Sequence, residues 1–138
     1  MKKLTIALIA FCFTAVSASA QCEKSLRITS SKTEYLNEDT VLHKTVEENT
    51  IIEITKTTMT ISPGTKKMVA TIVSETCSWK TPYFEGSTVY KVTFEEESKV
   101  KNATVVIEGK GGSLTMLVTP DGAEYMIRVP IDKFDEKL

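Results

Sequence analysis

The sequence predicts an all-β fold, a single antiparallel meander of about eight strands, and three observations support it. Thr, Val and Ile recur in short alternating runs, and helical periodicity is almost absent. The runs are separated by short segments rich in Gly, Pro, Ser and Lys. Such short turns join neighbouring antiparallel strands, because parallel strands need a crossover of about a dozen residues or more.

The first twenty residues have the pattern of a cleaved signal peptide. Two lysines precede the apolar run LTIALIAFCFTAV, and the tripeptide ASA at 18–20 supplies the small residues that signal peptidases prefer. The run is shorter than the roughly 20 apolar residues that a membrane-spanning helix needs, so no transmembrane anchor is predicted. We expect cleavage after Ala20 and a secreted or periplasmic location, with a single β domain over residues 21–138.

The first residues after that cleavage site bear on lipid anchoring. A lipidated cysteine usually follows a small residue, whereas Gln21 precedes Cys22. The sequence therefore disfavours lipidation of Cys22.

The strands of the first half are unevenly defined. In residues 24–47, SLRITSS indicates a strand, YLNEDT a turn, and VLHKTVEE either a strand or a short helix. Ile52 and Ile54 share one parity, whereas Met59 and Ile61 take the other. A one-residue shift turns every side chain to the other face, so a turn or bulge is predicted within Thr55–Thr58.

The second half alternates more clearly. STVYKVTFEEE, ATVVIEG, SLTMLV and AEYMIRVPI each predict a strand with one apolar face, and the turns between strands are SPGTK, EESK, GKGG and PDG. MVATIVSETCSW places Met68, Ala70 and Ile72 on one face, with Val69, Val73, Cys77 and Trp79 on the other. Both faces begin apolar, so a central strand is expected, followed by a longer connection at 80–86.

A meander of this size removes its exposed edges by closing into a barrel or by folding into a β-sandwich. Short sequential hairpins favour an up-and-down barrel. At about eight strands the interior of such a barrel is filled by side chains or holds one small ligand.

The segments IIEITKTTMTISPG, CSW and GGSLTMLVTPDGAEYMIRV resemble the small exported bacterial lipocalin-like β-barrel proteins as a pattern. The resemblance implies a barrel that is able to hold a ligand. The glycine–any–tryptophan signature of the lipocalins is absent, since SLR stands in the first strand, so no binding residue is carried over.

The cysteines predict a disulfide. Cys12 leaves with the signal peptide, and Cys22 and Cys77 are the two that remain. In an oxidising compartment two lone cysteines of a small domain most simply pair. The bridge would close a loop of roughly 55 residues and contribute about 4 kcal/mol in the chain-entropy model. It would fasten the mature N-terminus to the middle of the chain.

Composition argues against several functions. The net charge is −1, and no basic stripe is present, so nucleic acid is not an expected partner. His43 is the only histidine, so a catalytic triad would have to use it, and VLHKT has no nucleophile signature. A zinc site needs three or four nitrogen or sulfur ligands, which the chain does not supply once the two cysteines pair. The acidic clusters suit solvated turns, and EGKGGSL lacks the spacing of a phosphate-binding loop. We predict no enzyme activity, no metal site and no cofactor.

The aromatic segment near Cys77 is the candidate site. Trp79, Tyr83, Phe84 and Tyr90 gather bulky side chains, with Pro82 stiffening the chain. They suit either a ligand mouth or a cap on the core. The first interpretation predicts a non-catalytic binding protein for a small apolar or amphipathic ligand. The alternative is an interaction module with a filled core that contacts an envelope protein or a glycan through its edge or loops.

Overall fold

The computed structural model describes residues 25–37 and 39–137, and every structural statement below concerns these residues. They form nine strands: β1 (Ser25–Asn37), β2 (Leu42–Ile54), β3 (Thr58–Pro63), β4 (Met68–Thr81), β5 (Glu85–Glu96), β6 (Lys99–Lys110), β7 (Ser113–Pro120), β8 (Tyr125–Pro130) and β9 (Lys133–Lys137). In this part of the chain no helix has the length and apolar character needed to cross a membrane.

Strands β1 to β8 form a closed antiparallel barrel. Each strand from β2 to β7 pairs with the next in the chain, and β1 closes the cylinder by pairing with β2 on one edge and β8 on the other. The additional strand β9 pairs with residues 25–29 of β1, whereas β8 pairs with residues 34–37 of the same strand. The predicted all-β meander and the choice of a barrel over a sandwich are confirmed.

The ambiguous first half is resolved into two long strands. β1 runs on through Asn37, so the predicted YLNEDT turn is shorter than expected, and VLHKTVEE, apart from its first residue, lies in strand β2. The turn predicted within Thr55–Thr58 is confirmed: Thr55 N donates to Thr58 O at 2.8 Å, and the hydroxyls of these two residues lie 2.8 Å apart.

The antiparallel order gives the barrel two ends. The turns at 55–57, 82–84 and 111–112 lie at one end, which we call the aromatic end. The loops at 64–67, 97–98 and 121–124 and the β1–β2 connection lie at the other, which we call the cavity end. Side chains near the start of β4 therefore belong to the cavity end, and those near its finish to the aromatic end.

The residues of strand β4 are divided between its two faces differently from the prediction. Its pairing with β5 shifts between Ile72 and Ser74, which is a β-bulge. The extra residue reverses the parity, so Trp79 packs on the same core as Ala70 and Ile72, whereas Val69 and Val73 are exposed on the outer wall. The expectation that Trp79 shares a face with Val73 was wrong for this reason.

The connection after β4 is also shorter than expected. Only residues 82–84 separate β4 from β5, and Phe84 N donates to Thr81 O at 3.0 Å. Tyr83 has a φ of 53° and Gly86 one of 136°, and these left-handed conformations allow the reversal. Such conformations are not visible in the residue pattern of an aromatic segment.

The core fills the middle of the barrel and its aromatic end. Its buried side chains alternate along the strands, as the period of two requires. They are Leu26, Ile28, Ile52, Ile54, Met59, Ala70, Tyr90, Val92, Ala103, Val105, Ile107, Met116 and Val129.

Candidate functional site

An apolar cavity of about 140 Å³ lies inside the barrel at the cavity end. Its floor consists of Ile52, Met116 and Val129, which are almost completely buried. The remaining lining side chains come from β1, β2, β3, β4, β7 and β8, and they are Thr33, Tyr35, Glu48, Thr50, Ile61, Pro63, Met68, Val118 and Ile127. Met68 is half exposed at the rim, so the space is deepest at the floor and reaches the surface above it.

One polar atom in this lining has no partner. Thr50 is 2% exposed, and among the described residues its Oγ1 is the one buried side-chain nitrogen or oxygen without a hydrogen bond. The other buried polar groups differ: Ser30 Oγ donates to Lys32 O at 2.8 Å, and Glu34 accepts from Arg128. Buried polar groups are normally hydrogen-bonded, so we expect a molecule in the cavity to supply a hydrogen-bond partner for this hydroxyl.

The cavity adjoins a wider depression of about 390 Å³ at the barrel mouth, lined by Tyr35, His43, Lys44 and Tyr125. Tyr35 lines both spaces, and its register partners on the two neighbouring strands are Lys44 and Ile127. The mouth therefore combines two phenol rings with a cationic side chain, whereas the interior behind it is apolar.

The aromatic residues predicted as a site lie at the opposite end. The ring centroids of Trp79 and Tyr83 are 5.0 Å apart and tilted by 52°, and Tyr83 lies 4.4 Å from the ring of Phe134. Trp79 Nε1 donates to Thr88 Oγ1 at 2.7 Å, and Cys77 Sγ is 3.5 Å from the same hydroxyl. Offset and tilted rings of this kind stabilise one another and close this end of the core.

The tyrosines of this cluster are held in the neutral form. Burial, together with smaller contributions from the nearby carboxylates Glu136 and Glu75, raises the pKa of Tyr83 to about 12. Burial also raises the pKa of Tyr90 well above its ordinary value, with Glu75 and Tyr83 contributing. Desolvation disfavours a phenolate, so these hydroxyls are not bases near neutral pH.

The four predicted ligand residues do not line the cavity. Trp79 and Tyr83 pack together, Tyr90 is 2% exposed in the core, and Phe84 is 49% exposed above the β6–β7 turn. Their proposed role in ligand binding stays a prediction. The predicted disulfide also stays a prediction, because Cys22 lies outside the described residues, as does the predicted signal peptide at 1–20.

Sequence reasoning did not find the cavity. Its lining comes from six strands, and a gap between side chains leaves no trace in any one of them. The one available signal was Thr50, a polar residue that continues the apolar face of Ile52 and Ile54. Within residues 25–37 and 39–137, no group of three or more His, Cys, Asp or Glu side chains is placed to hold a metal ion.

No protein-family model, no curated protein and no solved structure matches the chain. The fold and site thus define the class: a closed eight-stranded antiparallel β-barrel with an apolar cavity at one end. The likeness to lipocalin-like proteins rests on this architecture alone.

Proposed function

We propose that this protein is a non-catalytic binding protein that holds a small apolar or amphipathic ligand inside its barrel. The cavity of about 140 Å³ carries the proposal, because ligand sites are concave, mostly apolar and supplied with a few polar groups. An apolar part would occupy the floor formed by Ile52, Met116 and Val129, where its transfer from water is favourable. A polar part would face the mouth, beside Tyr35 and Lys44.

We also propose that the protein works outside the cytoplasm, after cleavage at Ala20. The support is the sequence of residues 1–20, with its lysines, apolar run and small tripeptide. Intact mass of protein recovered from the periplasm or medium tests this, and a chain beginning at Gln21 is the expected result. A full-length chain retained in the cytoplasm would contradict it.

The ligand proposal is tested by filling the cavity. Val118 and Leu117 are neighbours on β7, and Val118 lines the cavity whereas Leu117 lines a groove on the outer wall. In an NMR titration with toluene, the wild type and Leu117→Phe should bind, with shifts at Ile52 and Val129 methyl groups. Val118→Phe should bind at least about tenfold more weakly, because the added ring occupies the space the ligand needs.

Urea unfolding of both variants verifies that they are folded. Absence of toluene binding by the wild type, or equal binding by folded Val118→Phe, would refute a ligand in the cavity. Either result would favour the alternative, an interaction module that contacts an envelope protein or a glycan through its edge or loops.

A further inference from the structure

The unpaired hydroxyl of Thr50 restricts the chemistry of the ligand. A buried hydroxyl without a partner has lost its hydrogen bonds to water and gained none in return, which costs free energy. Thr50 lines the cavity, and its Oγ1 can both donate and accept. A ligand group that forms this hydrogen bond therefore gains affinity that an apolar analogue of equal size does not.

The size of the cavity and the charge of its lining narrow the class of ligand further. An apolar protein cavity of about 150 Å³ is known to take up benzene, so 140 Å³ admits one six-membered ring with little added. None of the twelve lining residues is cationic, and Glu48 contributes a carboxylate at the side. An anionic group placed within this lining would have no counter-charge there and would lie near the Glu48 carboxylate, which is unfavourable.

We infer that the cavity takes a neutral, ring-sized molecule that carries one hydroxyl group, and that Thr50 Oγ1 forms a hydrogen bond with it. This inference rests on the proposed function, since it specifies the ligand of the same cavity. Phenols and cyclic alcohols of one ring belong to this class. Fatty acids with long chains and multi-ring molecules do not, because their volume exceeds the roughly 140 Å³ of the cavity.

The test compares phenol with benzene, which differ only in the hydroxyl group. Dissociation constants for both are measured by NMR titration with the wild type, Thr50→Val and Thr50→Ser. Valine has the shape of threonine without the hydroxyl, whereas serine keeps the hydroxyl and loses the methyl group. The quantity of interest is the ratio of the benzene constant to the phenol constant, because differences in the solubility of the two probes cancel when variants are compared.

The expected result is that Thr50→Val lowers this ratio by roughly two- to tenfold, the usual net worth of one hydrogen bond. Thr50→Ser should keep the ratio within about twofold of the wild type, since its hydroxyl is retained. If both probes bind and the ratio is the same in Thr50→Val, the inference is overturned while the proposed function stands; a water molecule that bonds to Thr50 in every complex would give this outcome. If the wild type binds neither probe, the proposed function itself fails, and this inference with it.

Discussion

Arg128 donates two hydrogen bonds to Glu34 where the barrel closes: Nε to Oε1 at 3.0 Å and Nη2 to Oε2 at 3.2 Å. The two residues are register partners, one of the four residue pairs that join β8 to β1. The Glu34 side chain is only 10% exposed, whereas that of Arg128 is 37% exposed. A bidentate guanidinium–carboxylate pair fixes both distance and orientation, so it specifies the register of the closing strands.

Breaking this pair should cost more from one side than from the other. Arg128→Gln leaves a nearly buried carboxylate without its cation and should lower the free energy of unfolding by about 2 kcal/mol, against about 1 kcal/mol for Glu34→Gln. Urea unfolding of both variants and the double variant measures their coupling. The control is Lys101→Gln, which breaks the exposed pair with Glu96 and should change stability by less than about 0.5 kcal/mol. Additive losses at Glu34 and Arg128 would contradict a coupled pair.

The same pair predicts a pH dependence of stability. The hydrogen bonds from Arg128 lower the pKa of Glu34 below its ordinary value of 4.5. A carboxyl group with a depressed pKa in the folded state stabilises above the ordinary value, and the contribution is lost as pH falls from there through the folded-state pKa. The stability difference between wild type and Glu34→Gln should therefore shrink between pH 7 and pH 3. The control is Glu124→Gln at an exposed position, which corrects for the loss of one negative charge. A stability difference between wild type and Glu34→Gln that does not change with pH would contradict the prediction.

Two buried threonines should respond oppositely to replacement by valine. Thr88 Oγ1 accepts the indole hydrogen of Trp79, so Thr88→Val leaves that donor unpaired and should cost about 1–3 kcal/mol. Thr50 Oγ1 has no partner, so Thr50→Val should be neutral or stabilise by up to about 1 kcal/mol. The midpoints of urea unfolding, compared between variants with equal m-values, measure both changes in the free energy of unfolding. Equal losses at the two positions would show that Thr50 is hydrogen-bonded in solution.

Two glycines with positive φ should differ in the cost of an added methyl group. At Gly86 a Cβ would lie 2.4 Å from Ser78 O and 2.6 Å from Trp79 Cα, both backbone atoms. Gly86→Ala should therefore destabilise by about 3 kcal/mol or more. Gly111 has a φ of 58° and nothing within 4 Å of the added Cβ, so Gly111→Ala should cost only about 1 kcal/mol, from backbone strain alone. Thermal unfolding of the two variants compares them, and similar losses would contradict the close approach at Gly86.

The sequence by itself determined the all-β class, most strand positions and the turns, because these depend on local alternation and on residues such as Gly and Pro. Val92, Val105 and Met116 could be assigned to one face of their strands from neighbouring residues alone. The Thr55–Thr58 turn was also predictable, since it reverses the parity of isoleucines on either side.

Only the tertiary structure decided those features that depend on several strands at once. The bulge after Ile72 changed the face of Trp79, and the left-handed conformation of Tyr83 tightened the turn. Isoleucine does not favour a bulge, and tyrosine does not favour a left-handed conformation. The cavity beside Thr50 exists because side chains from six strands fail to fill one end of the cylinder. Packing volume is a property of the closed barrel, and local periodicity carries no information about it.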